Sequence, residues 1–129
     1  MWLDINSKSR IYGSGARDLE YATWTCILGW PVQGIWPGVD YTDVNSTCRS
    51  NSRQILATAD DFGMVKLFKF PCVVEKASFK EYPGHSSHVT RVKFSHNDTF
   101  LLSTGGNDKT LLVWETDFSM DNPSSALDQ

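Results

Sequence analysis

The chain has 129 residues, of which 40% are hydrophobic, 12% aromatic and 21% charged, a balance that supports one small packed domain and excludes a chain disordered throughout. Nine glycines and five prolines are near average usage, and no apolar stretch approaches the roughly 18 residues a membrane helix needs. With 12 Lys+Arg against 15 Asp+Glu the net charge is -3, the wrong sign for a binder governed by phosphate contacts, so neither nucleic acid nor membrane is an expected partner.

From the N-terminus, MWLDINSKSR offers no apolar core for a secretory signal. Gly13-Ser14-Gly15 suggests a phosphate loop only in outline, because Asp18 stands where a third glycine belongs and no helix pattern follows; a turn is the plainer reading. In TWTCILGWPVQGIWP (23–37), Trp24, Trp30 and Trp36 recur every six residues, with Gly29, Pro31, Gly34 and Pro37 breaking any helix. This strip reads either as a hydrophobic connection packed over the rest of the fold or as Trp anchors for a partner.

Two later segments, QILATADDFGMVKLFK (54–69) and FLLSTGGNDKTLLVWE (100–115), overlay at an offset of 46 residues. Each has an apolar run, a small-residue step, a polar turn and an alternating run ending in an aromatic, the pattern of a β-hairpin. Val44–Arg49 and His88–Phe94 supply a strand ahead of each hairpin, and Ala77–Tyr82 one more between them. A four-stranded antiparallel unit repeating every 40–50 residues is the signature of a β-propeller blade. The expected fold is therefore all-β: about two antiparallel four-stranded blades of an incomplete propeller. A remnant of a preceding blade is expected over 1–20, an aromatic connecting segment over 21–42, one atypical blade over 43–82, a second, incomplete blade with no fourth strand after Trp114 over 83–116, and a disordered polar tail over 117–129.

Gly84-His85, followed after 28 residues by Trp114-Glu115, resembles the WD-repeat pattern, with Glu115 in place of the usual Asp and Asp108 six residues before Trp114. The whole set, ATWTCILGWPVQGIWP (22–37), DVNSTCRS (43–50), ATADDFGMVKLFKFP (57–71) and YPGHSSHVTRVKFS (82–95), resembles the echinoderm microtubule-associated protein-like family. That resemblance implies a hydrophobic HELP motif, to which the aromatic segment over 21–42 is similar, leading into two fused, atypical propellers that contact tubulin. It also implies a cytoplasmic, cytoskeletal location, tubulin or microtubules as partner, other proteins as further partners, and no cofactor. A generic WD-type scaffold for assembling a protein complex is the alternative. No heptad pattern, the mark of the family's coiled-coil segment, is present in these residues.

His85, Ser103 or Thr104, and Asp108 could spell base, nucleophile and orienter. The resemblance implies instead a buried structural tetrad of His85, Thr104, Asp108 and Trp114, Thr104 being preferred to Ser103 by its distance from Trp114, and no enzyme. In the first blade the equivalent positions are Phe62 and Phe68, so no such network is expected there and packing must suffice. Asp60-Asp61 reads as a turn pair whose side chains point to opposite faces, not a cation site. His85 and His88 could chelate a metal, yet no Cys or carboxylate lies near them in sequence, and no metal is expected.

Cys26, Cys48 and Cys72, an odd set 22 and 24 residues apart without a CxxC pair, indicate neither a disulfide framework nor a zinc knuckle and fit a reducing compartment. Between Lys66 and Lys93 six basic residues face only Glu75 and Glu81. Their alternation with apolar residues places the charges on one solvated blade face, with Lys66, Lys69, Lys80, Arg91 and Lys93 as candidate contacts to an acidic partner.

Overall fold

A computed structural model describes residues 2–4, 6–11, 19–36 and 43–117. Gly13-Ser14-Gly15 and the expected tail from 118 onward lie outside the described residues. The N-terminal hairpin pairs β1 (Trp2–Asp4) with β2 (Ser9–Ile11), Trp2 opposite Ile11. Two antiparallel meanders follow. The first has strands β3 (Val44–Arg49), β4 (Ile55–Asp60), β5 (Met64–Lys69) and β6 (Phe79–Pro83) in the order β3-β4-β5-β6. The second has β7 (Val89–Phe94), β8 (Phe100–Gly105) and β9 (Leu111–Glu115) in the order β7-β8-β9.

The two sheets repeat one another in detail. Each opens on a bulge, between Val44 and Ser46 in β3 and between Val89 and Arg91 in β7. In the turn that follows, Ser50 and Ser95 each accept a bond from the backbone five residues on, at Ile55 and Phe100. Arg53 and Asp98 close these turns at φ 63° and 60°, an uncommon left-handed conformation for a non-glycine residue. All these pairs are 45 residues apart, whereas Phe68 opposite Leu56 matches Trp114 opposite Leu101 at 46 and 45. The offset of 46 read from the sequence thus holds for the last strand of each hairpin and slips by one in the strand before it. Because side chains alternate with period two, that slip exchanges the faces of β8.

Two apolar layers hold the sheets. The aromatic segment covers the outer face of the first sheet: Trp24, Val32, Ile35 and Trp36 are buried against Val44, Leu56, Phe68 and Cys72. Its middle is a short 3-10 helix, Trp30–Ile35, with Pro31 in the first turn. The sequence reading excluded any helix here; Pro is tolerated in a first turn, where its missing N–H has no partner to lose. The helix is tied to the strap after β5 by Gly34 N–H to Cys72 O, 2.8 Å, and Cys72 N–H to Pro31 O, 2.7 Å. Trp24 and Trp36 are buried while Trp30 is 49% exposed, so the six-residue series splits into two packing anchors and one surface ring.

The second layer lies between the sheets, where Cys48, Ala57, Ala59 and Val65 meet Val89, Val92, Phe94 and Leu101. Ala57 and Ala59 are fully buried, and their small side chains let β7 approach the first sheet closely. Polar clamps close both ends of this contact. Asn45 Nδ2 donates to Val89 O at 2.9 Å and His88 Nδ1 lies 2.8 Å from Asp61 Oδ1. At the other end the Asp98 carboxylate accepts from Asn51 N, Asn51 Nδ2 and Ser52 N at 2.8–2.9 Å.

Candidate functional site

The chemistry-bearing side chains converge at one place, where the segment after β6 crosses the β8–β9 hairpin. His85 stands two residues beyond Pro83, Ser103 is central in β8, Asp108 occupies the β8–β9 turn and Trp114 the end of β9. His85 Nε2 lies 2.7 Å from Ser103 Oγ, and Trp114 Nε1 donates to the same oxygen at 2.8 Å. His85 Nδ1 lies 3.0 Å from Asp108 Oδ2 and 2.9 Å from Thr110 Oγ1. The consistent proton assignment puts a hydrogen on Nδ1 facing Asp108, leaving Nε2 to accept from Ser103, whose oxygen accepts from Trp114.

The carboxylate end of this chain is well held. Burial alone would raise the Asp108 pKa, but bonds from His85, the Thr110 side chain and the backbone N–H groups of Thr110 and Ser86 outweigh it and leave the carboxyl below its ordinary value. Gly105 makes the approach feasible, since any side chain there would collide with the Asp108 carboxylate. Ser103 is fully buried, as is the imidazole of His85.

Thr104, the hydroxyl expected in this network, is not part of it. Its Oγ1 lies 2.9 Å from Thr90 Oγ1 at the exposed side of β8. The register explains the difference: Leu101 faces Trp114 and Ser103 faces Leu112, so 101, 103, 112 and 114 share one face and Thr104 lies on the other. Within the hairpins Ser103 corresponds to Thr58, itself 1% exposed.

The first sheet carries a different polar arrangement in the corresponding place. Phe68 is buried against Leu56 and meets the Phe79 ring at 5.3 Å, whereas Phe62 is 69% exposed. Packing is joined by an ion pair, Lys66 Nζ to Asp60 Oδ2 at 3.5 Å, with the ammonium 4.6 Å from the Phe79 ring centre. Asp60 Oδ1 accepts from the N–H groups of Phe62 and Met64 at 2.9 Å, fixing the turn. The side chain of Asp60 is buried and that of Asp61 reaches outward to Asn45 and His88, as alternation requires.

The basic residues do not share one face. Lys66 pairs opposite Thr58 and Glu81, on the side of the first sheet that the aromatic segment covers, while Lys69 and Lys80 pair opposite Ile55 and Leu67 on the other. Arg91 and Lys93 project from the far side of the second sheet, opposite Thr104 and Leu102. Lys66 and Lys69 are an odd number of residues apart, and a strand must turn such a pair to opposite faces. Of the five, Lys69, Arg91 and Lys93 are exposed and Lys66 and Lys80 half-buried. His85 and His88 do not converge, and among the described residues no group of three His, Cys, Asp or Glu side chains could hold a metal ion. All three cysteines are free, Cys26 exposed and Cys48 and Cys72 buried.

The sequence reading missed the residues that join the sheets: Asn45, Asn51, Asp61, His88 and Asp98. Their signal is weak, since polar residues at strand ends are ordinary turn formers. Only the 45-residue equivalence of Arg53 and Asp98 sets them apart. Arg53 reaches back to pair with Glu20 of the preceding segment, as Asp98 reaches back to Asn51 and Ser52.

Antiparallel units of four and three strands, repeated along the chain and packed face to face without closing into a barrel, are blades of an incomplete β-propeller. The far side of the second sheet still shows the apolar surface of such a blade, with Leu111 and Val113 each 59% exposed where Val65 and Leu67 of the first sheet are covered. The family model described as the echinoderm microtubule-associated protein second beta-propeller matches residues 1–116, and the chain belongs to that family. Echinoderm microtubule-associated protein-like 3 of Mus musculus is 51% identical over 100 residues, covering 77% of this chain and 11% of that protein. The like-4 protein of Homo sapiens is 48% identical over 103 residues (79% and 10%), and the like-1 protein of Mus musculus 46% over 114 (88% and 14%). The chain thus spans between a tenth and a seventh of the length of these curated relatives. The matched span includes the aromatic segment read as HELP-like.

Proposed function

We propose that this chain is a non-enzymatic binding region of a cytoskeletal protein, acting in the cytoplasm on tubulin or microtubules. The observation that carries the reading is the chain's 46–51% identity to relatives named as microtubule-associated; Arg91 and Lys93, exposed two residues apart on β7 and on the same face of the second sheet as Leu111 and Val113, supply the cations. Paired cations beside apolar surface suit an acidic protein partner, with charge steering encounter and the apolar patch supplying contact area. No helix of the described residues is long and apolar enough to cross a membrane.

The His85–Ser103–Asp108–Trp114 set serves as the structural tetrad of a WD-type blade and not as a nucleophile. Ser103 Oγ is buried and already committed to two partners, and an attacking hydroxyl needs an open approach beside oxyanion donors. A generic scaffold role is the second reading, favoured by the exposed Phe100, Leu111 and Val113, which suit protein contact of any kind.

Co-sedimentation with taxol-stabilised microtubules across a salt series tests the proposal, on chain shown by circular dichroism and light scattering to be folded and monomeric. Salt-sensitive pelleting that is lost in Arg91→Glu/Lys93→Glu supports it. Absence of pelleting by a folded monomer would overturn it in favour of the scaffold reading.

A further inference from the structure

The one buried cation lacking a carboxylate bond among the described residues lies far from the tetrad. Arg49, at the end of β3, is 8% exposed, and its Nε has no hydrogen-bond partner. One terminal nitrogen donates to Tyr21 O at 2.6 Å and the guanidinium carbon lies 5.1 Å from the Phe70 ring centre. A guanidinium with a carbonyl and a ring face as its partners retains unmet donor capacity, costly in a desolvated place unless an anion completes it. Burial, followed by the nearby Arg53 charge, lowers the Arg49 pKa, opposed by Glu20. Glu20 itself pairs with Arg53 and its side chain is 79% exposed.

Arg49 and Arg53 line a cleft of about 410 Å³ whose other walls include Tyr21, Trp24, Trp30 and Phe70. Tyr21 and Trp24 meet edge to face at 5.0 Å, so one wall is a fixed aromatic corner, and Trp30 forms the exposed rim. Volume, aromatic lining and a few convergent polar groups are those of a ligand site. The excess of two guanidinium groups, Arg49 and Arg53, over the one carboxylate of Glu20 along the cleft selects a negative ligand, and a carboxylate is the anion a protein partner supplies. The aromatic walls require that the carboxylate be attached to an apolar body.

We infer that this cleft is a docking site for a short peptide segment of a partner protein that presents an acidic side chain next to an aromatic one, the carboxylate meeting Arg49 and the ring lying against Tyr21, Trp24 and Trp30. Neither Arg91 nor Lys93 lines this cleft, and the assignment stands whether or not the microtubule reading does. Its test follows the Arg49 Nε–H signal of the 15N-labelled full chain during titration with acetyl-Phe-Glu-amide and, separately, acetyl-Phe-Gln-amide. The expected result is a saturable shift with the Glu peptide and at least fivefold weaker binding of the Gln peptide. Equal responses to the two peptides, or no saturable shift with either, would overturn the assignment. Arg49→Met should abolish the fluorescence change of the cleft tryptophans on adding the Glu peptide; if that variant does not fold, the peptide pair on the unaltered chain still decides.

Discussion

Replacing Ser103 by Ala deletes one oxygen and breaks two bonds, from Trp114 Nε1 at 2.8 Å and to His85 Nε2 at 2.7 Å. The site is fully buried, so water cannot take the place of the hydroxyl without opening the hairpin. Each buried polar group left unpaired costs about 1–3 kcal/mol; with Trp114 only half-buried, the expected loss for S103A is about 2–4 kcal/mol. For a domain of this size that lowers the melting temperature by about 10 °C. Thr104→Ala removes a methyl and a hydroxyl whose bond to Thr90 lies at the surface, and its expected cost is within about 0.5 kcal/mol. Urea unfolding followed by tryptophan fluorescence and circular dichroism measures both. A T104A loss larger than that of S103A, or an S103A loss below about 0.5 kcal/mol, would refute the assignment of the network to the Ser103 face.

Asp61 and Asp108 both have carboxyl pKa values below the ordinary range, Asp61 chiefly through its bonds from Asn45 and His88. A depressed folded-state value contributes stability that is present above the unfolded pKa and lost as pH falls through the folded one, so stability should fall below about pH 4 and the D61N and D108N variants should show a shallower dependence in acid titrations of urea midpoints. Burial pushes the Cys72 thiol up to about 11; iodoacetamide at pH 8 should therefore label Cys26 first and leave Cys72 unlabelled in the native chain by peptide mass mapping. Gly63 has φ 79°, and a Cβ there would stand 2.5 Å from the carbonyl of His85. Gly63→Ala should thus destabilise by at least about 1–2 kcal/mol, measured in the same unfolding assay.

What the sequence disclosed follows from how each feature is encoded. The strands and the repeat are written in local alternation, so β3 to β9 fall where the pattern puts them, and Gly84-His85 with Trp114 marks the hairpin that closes the network. The choice between Ser103 and Thr104 is written nowhere locally. It depends on a register in which β8 is offset by 45 and β9 by 46, and one residue of slip reverses a face. The basic residues were misgrouped for the same reason, since Lys66 and Lys69 cannot share a side of β5. The Lys66–Asp60 pair and the Asp98 clamp need contacts across strands or sheets that no window of sequence contains. The Arg49 cleft is assembled from residues 21, 49 and 70, which only the folded chain brings together.

The most direct test of the account is the state of the His85 ring. If the tetrad is a closed structural network, a 15N-labelled sample should show a proton on Nδ1, slow exchange of that proton with solvent, and no covalent labelling of Ser103 by a fluorophosphonate. A freely exchanging ring together with Ser103 labelling would contradict the account, because it would place an accessible base beside an accessible nucleophile.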